Sequence, residues 1–515
     1  MDTTTINRRV FLASAAGTAI AAGAGAGVAG TVKAAEAQEI PVSWDAAYDV
    51  IVIGYGVAGG TAARHAADAG ASVLLIDGAP DGAEGGNSKF AKQLLASGHD
   101  AENAVTYLKA LNAGFEVDED VLRTFAEGMV EIPTYCAEYL GADVHSWIGR
   151  TDDPVLAPFV PEYPELPGTE TFDAYTISEV SGDGAIWLKT KELVEEHADS
   201  IEVWTASPAL HLVQDPATKA VVGVVIEHEG SELNVAAASG VVLACGGFEF
   251  NPQMIQDYLG ASRLSGIGTP YNRGDGIRMA LEVGADLWHM KSYEPGGTGL
   301  MFDPGDGGSP LGAGSIGATG STIYVGSDGS RYYNELAESR HGRVPHAGEF
   351  KPIDHPCHPW IVWDQARMDE LAEGGMVDAM PVLAEARYVA ASTLEELAEA
   401  CAMDPQALVR TVEHFGFFAE QGCDYQFGRD PQTLRAFDGG PYYAMPGAAL
   451  ILNTQGGPRR NAKAQVVGAN GEPIPHLYSA GELGSLNAFQ YQGGNNLSEC
   501  LIFGRIAGQN AAAAL

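Results

Sequence analysis

One stretch constrains this chain more than any other: Tyr48-Asp49-Val50-Ile51-Val52-Ile53-Gly54-Tyr55-Gly56-Val57-Ala58-Gly59, an apolar run that breaks into glycines and passes into an alanine-rich segment. The unbroken Val/Ile run reads as a buried strand, and the alanines as the start of a helix. Gly54 makes the tight turn, Gly56 lets backbone approach a pyrophosphate, and Gly59 lets the helix pack on the strand. Val57 and Ala58 begin the helix, whose N-terminus faces the phosphates. A second strand, Ser72 to Ile76, ends at Asp77, with Gly78 behind it, at the spacing for a hydrogen bond to an adenosine ribose.

The same glycine spacing occurs twice more, at Gly25 to Gly30 and at Gly312 to Gly317. Neither follows a strand nor leads to an acidic residue, so both are expected to be chance matches in a glycine-rich chain.

With 515 residues, 46% of them apolar, the chain can fill the cores of two or three domains. Its 67 acidic and 29 basic residues give a formal charge of −38, which argues against nucleic acid or an anionic membrane as partner. The six cysteines form no C-x-x-C-H and no paired C-x-x-C, so covalent haem is not expected and any further redox centre belongs to another protein. His355-Pro356-Cys357-His358-Pro359 has no partner cluster, and no metal is expected there. Asn7-Arg8-Arg9-Val10-Phe11-Leu12 is a twin-arginine pattern followed by an Ala/Gly-rich run. Residues 1–37 are therefore expected to be a cleaved signal, and the mature protein to lie in the periplasm or on the outer face of the cell envelope.

Beyond Asp77, Gly85-Gly86-Asn87-Ser88 is a glycine turn with two hydrogen-bonding side chains, suited to closing over a cofactor's phosphates. A mostly helical region from Ala101 to Leu140 follows. Ala220 to Ile226 and Gly240 to Phe248 read as strands, the second ending at Gly246 and Gly247, where backbone again can meet the cofactor. From about Lys291 the composition shifts to glycine and proline loops, a strand at Thr322 to Val325, and helices near Leu394 to Cys401 and Gln406 to Gln421. The expected architecture is α/β: a discontinuous Rossmann-like cofactor domain, residues 45–290 and 446–515, interrupted by an inserted α+β capping domain, residues 291–445.

Nearly the whole mature chain resembles the flavoprotein superfamily of soluble fumarate reductases, urocanate reductases and 3-ketosteroid dehydrogenases. The resemblance rests on Gly54 to Gly59, Gly85 to Ser88, Val242 to Phe248, Gly274-Asp275-Gly276, Ser330 to Glu335, and a terminal block from Tyr478 through Glu482 and Gly493-Gly494-Asn495-Asn496-Leu497-Ser498-Glu499 to Gly508. It implies FAD and hydride transfer between flavin N5 and an alkene conjugated to a carbonyl; with the phosphate-binding elements present and no flavin-linking histidine motif of the succinate dehydrogenase kind, the FAD is expected to be non-covalent. It also implies that Asp275, Glu482, Asn496, Leu497 and Ser498 join the cofactor set. A helix starting near Leu497 would aim its positive end at the charge on reduced flavin.

Departures from the family pattern bear on substrate. The histidine and arginine with which fumarate reductases of this type bind a dicarboxylate are absent from Gly484 to Gln492, and Ala318-Thr319-Gly320-Ser321 replaces the expected Glu/Arg proton relay. Carboxylates need bidentate arginine or comparable donors, so fumarate is not the expected substrate. Tyr491 stands where ketosteroid dehydrogenases place a tyrosine that bonds the substrate carbonyl, and a phenol suits a neutral enone. For the catalytic acid the chain offers Arg340, one residue beyond the family offset, which Ser339 occupies; Tyr333 is the fallback. Arg459-Arg460 is either a surface pair or faces an electron donor. The expected activity is reduction of an unsaturated carbonyl or carboxyl compound, fed by an external cytochrome or quinol-linked protein. The alternatives are a ketosteroid-dehydrogenase-like enzyme and a non-catalytic flavin electron carrier.

Overall fold

The computed structural model describes residues 42–148, 161–178, 182–302 and 312–513. The expected signal segment, and with it the glycine match at Gly25, lies outside the described residues.

The Val/Ile run forms the strand Ala46–Ile53 at the centre of an eight-stranded sheet. Across the sheet lie Gln465–Val467, Pro473–Ser479, Ser231–Leu243, Ala46–Ile53, Val73–Ile76 and Ile201–Trp204, in that order, and the last five run parallel. Val221–His228 and Ala209–Gln214 continue from the long Ser231–Leu243 strand as an antiparallel meander. Val50, Ile51 and Val52 are wholly buried, as expected for a parallel sheet covered on both faces. Each such side chain contributes about 1.5–3 kcal/mol on burial.

Register decides what the sheet presents. Ile53 pairs with Ile76 and Leu243, and Leu243 with Ser479. The residues that come next, Gly54, Asp77, Ala244 and Ala480, therefore emerge together along the carboxyl edge, where open α/β sheets bind ligands.

Two helices bring their N-termini to this edge. Val57–Asp68 follows the glycine turn, and the C-terminal helix Asn495–Ala512 packs against it through glycines. A Cβ on Gly504 would come within 2.7 Å of Ala58 O, and one on Gly508 within 2.2 Å of Ala62 O. Only glycine permits that approach.

The inserted region builds its own antiparallel sheet from Thr322–Val325, Trp360–Asp364, Tyr442–Pro446 and Val389–Ala391. Leu394–Ala400 and Pro405–Gln421 share one apolar cluster with it, around Val325, Val362, Leu408 and Phe415. Within the motif Ser330 to Glu335, Arg331 and Glu335 form a bidentate pair with two contacts of 2.7 Å, and Asp424 accepts from the same guanidinium at 3.0 Å. That stretch thus also holds the interior of the insertion together. The chain leaves the cofactor region along Tyr293–Phe302 and returns along Ala448–Thr454, and these two strands pair with each other.

Two local readings change. Gly86–Phe90 is a one-turn helix behind a left-handed Gly85 (φ 114°), not an open turn. The glycine match at Gly312 falls on the short strand Gly312–Gly314.

Candidate active site

Along the carboxyl edge lies a cavity of about 300 Å³, and beside it one of about 580 Å³; both are lined by Asn87, Ser88, Glu482 and Cys500. Gly54, Gly56, Ala58, Asp77, Gly78, Gly86, Gly246 and Asp275 line the smaller cavity, and Asn496 and Leu497 the larger. Four other expected cofactor residues do not line either. A Cβ on Gly59 would come 1.7 Å from Gly54 O, so that glycine packs helix on strand. Val57 is core and donates its N–H to Ser88 Oγ at 3.3 Å. Gly247 spaces two carboxyls, and the Ser498 hydroxyl is given to Ala96 O at 2.7 Å.

The smaller cavity suits the adenosine and phosphate end of FAD. The Val57–Asp68 helix opens on Gly56 with no side-chain cap from that residue, and although Ser88 Oγ takes the Val57 N–H, the positive end of its dipole is offered to an anion. Asp77 Oδ2 accepts Tyr55 N–H at 2.6 Å and Oδ1 accepts Ala79 N–H at 2.7 Å. Each oxygen keeps a further lone pair for a ribose hydroxyl. Burial pushes the Asp77 carboxyl above its ordinary range, against those two bonds.

At the junction of the cavities, the Asn87 amide donates to Glu249 Oε1 at 2.7 Å and to Glu482 Oε2 at 3.1 Å, while Thr269 N–H bonds its carbonyl at 3.1 Å. Asn272 also donates to Glu249 Oε1, at 2.8 Å. A Cβ on Gly247 would meet Glu482 Oε1 at 2.3 Å and Glu249 Oε2 at 2.8 Å, so both acids crowd the same glycine. Burial pushes Glu249 up to about 7, and burial together with Glu249 raises Glu482 well above the carboxylate range. Two carboxyls buried side by side disfavour a second negative charge, so the site favours keeping a proton on the pair.

The larger cavity is mostly apolar, with Phe90, Leu94, Ile267, Pro295 and Leu452 along its wall. Tyr491 enters it, and its hydroxyl accepts Asn496 N–H at 3.3 Å from the first turn of the C-terminal helix. Burial raises the phenol well above its ordinary value, so it is a neutral donor.

Arg340 does not join it, which corrects the sequence expectation. Its guanidinium bonds Glu165 at 2.5 Å and Glu338 at 2.8 Å and lies over the rings of Phe350 and Tyr163. The reason is a tight turn: Arg340 and Arg343 exchange two backbone bonds of 3.0 Å around His341 (φ 46°) and Gly342 (φ 69°). Two positive φ values are the signature of a type I′ turn, which points successive side chains different ways. Arg340 goes outward, and Arg343 turns inward to Glu294 at 2.5 Å and to the carbonyls of Tyr293 and Phe489. His341 lines the cavity. Tyr333 is also elsewhere; it donates to Thr298 Oγ1 at 3.1 Å, beside Tyr332 and His355. Arg459 pairs with Asp286 at 3.3 Å, and Arg460 is buried against Glu499. No group of three potential metal ligands occurs among the described residues.

Sequence reasoning missed His341, Glu162 and Glu249. His-Gly between two arginines is a turn signal that a count of offsets passes over. Glu162 and Glu249 carry no local pattern; the fold alone brings them in.

The FAD binding domain family matches residues 49–497. A probable fumarate reductase of Shewanella frigidimarina is 27% identical over 479 residues, covering 90% of this chain and 74% of that one. A digoxin reductase of Eggerthella lenta is 28% identical over 573 aligned positions, covering 99% and 97%. The solved 3-ketosteroid-delta4-(5alpha)-dehydrogenase from Rhodococcus jostii RHA1 superposes with a TM-score of 0.60 at 26% identity, covering 92% of this chain and 98% of that one.

Proposed function

The chain belongs to the FAD binding domain family and is an FAD-dependent oxidoreductase acting on carbon–carbon double bonds; from that premise we propose that it reduces the C=C bond of a neutral α,β-unsaturated carbonyl compound. The supporting observation is the lining of the larger cavity. Among the described residues that form it there is no arginine; its basic groups are Lys92 and His341, and its one phenol, Tyr491, is anchored on a helix N-terminus beside a mostly apolar wall. A dicarboxylate would lack bidentate partners there, whereas a ketone needs one good donor.

FAD, held by the smaller cavity and the N-terminus of the Val57–Asp68 helix, supplies a hydride when bound and reduced. Tyr491 donates its O–H to the carbonyl oxygen and stabilises the enolate charge that develops on the substrate. Asn496 N–H bonds the same phenol oxygen and takes up part of that charge. Apolar residues around the site exclude water and strengthen both bonds.

Electrons come from an external donor, a cytochrome or quinol-linked protein, which fits a sequence without haem-attachment motifs. Export by the twin-arginine route rests on Arg8 and Arg9. Replacing both by Lys should leave flavin-loaded protein in the cytoplasm, and unchanged export would sink that part of the reading.

The main test is anaerobic. Enzyme reduced by a dye is offered neutral enones, enoates, fumarate and ketosteroids, and flavin reoxidation is followed. Neutral enones should be the fastest oxidants; fumarate outpacing all of them would overturn the assignment. The same apolar wall and phenol also suit dehydrogenation of a saturated ketosteroid, which would show as flavin bleaching when oxidised enzyme meets that ligand.

A further inference from the structure

We propose that His341 is the proton donor to the α-carbon of the substrate, with Glu162 as its positioning residue. The proposal rests on reading the site as an enone reductase. It also answers a question the site leaves open, because hydride addition requires an acid beside the alkene and Arg340 points away from it.

His341 lines the larger cavity, and 15% of its side chain remains exposed. Its ring meets that of Tyr491 edge to face, with centroids 4.9 Å apart. Donor and carbonyl anchor are therefore neighbours, as the α-carbon and the carbonyl oxygen of an enone are. Nδ1 lies 2.7 and 2.8 Å from the two oxygens of Glu162. A carboxylate on Nδ1 fixes the ring and assigns proton exchange to Nε2.

Glu162 is itself fastened to the loop before the C-terminal helix. Its Oε2 accepts Gly493 N–H at 3.2 Å, and its own N–H donates to Gln492 Oε1 at 3.0 Å, which Tyr107 also bonds at 2.6 Å. The insertion supplies the imidazole and the cofactor region supplies the loop, so one carboxylate ties the acid to the wall of the site.

The backbone pays a cost at the same spot. His341 holds φ 46°, a left-handed conformation unfavourable for a residue with a Cβ. A Cβ on Gly342 would meet Gly297 N at 2.5 Å, so only glycine lets the turn pack this closely against Pro295 and Gly297. Strain kept by surrounding packing concentrates at functional residues.

Charge around the ring favours the protonated form. Burial opposes it, and so does Arg343; Glu162, with Glu294 behind it, outweighs both and holds His341 above the ordinary histidine value. Tyr491 is neutral, and Lys92 and Glu482 line the same cavity.

The step balances. The substrate's π bond breaks, its β-carbon takes a hydride from the reduced flavin, and its α-carbon takes H⁺ from His341. Two C–H bonds form, the electron pair of the hydride being what reduced FAD would supply when bound, and the imidazole is recharged by a proton from solvent.

The test compares wild type, His341→Gln and Glu162→Gln, all FAD-loaded and dye-reduced under anoxia. His341→Gln should be reoxidised by a neutral enone roughly 10²–10⁴-fold more slowly, with flavin content and dye reduction unchanged. In His341→Ala, added imidazole should restore part of the rate. For an acid that must be protonated, the rate falls as pH rises through its pKa. Glu162→Gln removes the charge that raises that pKa, so the falling limb should move to lower pH, and the His341 imidazole resonance, assigned by its loss in His341→Gln, should titrate at lower pH too. A His341→Gln enzyme as fast as active wild type would overturn the proposal alone. Wild type inert to every enone would overturn it together with the reading beneath it.

Discussion

The phenol oxygen of Tyr491 accepts the backbone N–H of Asn496 at 3.3 Å, so a phenol that lines the larger cavity is tuned by the N-terminus of the helix Asn495–Ala512. Tyr491→Phe removes the O–H but keeps the ring. Loss of one positioned oxyanion donor costs roughly 3–4 kcal/mol, or about 10²–10³ in rate. Reoxidation by an enone should fall by that amount, with flavin content unchanged. An unaffected variant would mean that the carbonyl docks elsewhere.

Arg340→Ala should behave oppositely. Its partners Glu165 and Glu338 are 51% and 60% exposed, and exposed pairs contribute roughly 0–1 kcal/mol. Stacking on Phe350, 4.0 Å from the guanidinium carbon, adds about 0.5–1 kcal/mol. Melting should shift by a few degrees while reoxidation stays within a few-fold of wild type. A hundredfold loss would return the acid role to Arg340.

What could be read from the sequence divides along the range of the interactions. The strand Ala46–Ile53, the glycine turn and the helix Val57–Asp68 were legible because glycine spacing and apolar runs are local consequences of backbone geometry. Tyr491 was offered by its family position just before Gly493 and Gly494, and the structure places it on the wall of the larger cavity. His341 was not, since an offset counted along the chain says nothing of which way a side chain leaves a two-residue turn. Glu162 and Glu249 act at sequence separations of 179 and 162 from His341 and Asn87, and no window spans such distances.

Flavin should leave the protein on acid precipitation. Cys245 lines the smaller cavity and Cys500 both, but burial pushes each thiol up to about 12. The thiolate is the reactive form, so neither is placed to link a cofactor at neutral pH. Yellow colour retained in the washed, denatured pellet would contradict this.

The Glu249–Glu482 pair makes stability depend on pH in a stated direction. Burial pushes Glu249 from an ordinary value of 4.5 up to about 7 in the folded protein, so the native state favours a proton that the unfolded chain has already released. Its contribution is fully present below about pH 4.5 and is lost as pH rises through 7. For a shift of this size the loss is roughly 3 kcal/mol. Glu249→Gln mimics the protonated acid: its amide oxygen can still accept from Asn87 and Asn272, as Oε1 does. Thermal melts of flavin-loaded wild type should therefore fall between pH 5 and pH 8 more steeply than those of the variant, which should be the more stable of the two at pH 8. Because Glu482 lines both cavities, free flavin released on mild warming should follow the same order. Parallel melting curves for the two proteins across this range would show that the acids are fully ionised, and that Asn87 holds two charges rather than a shared proton.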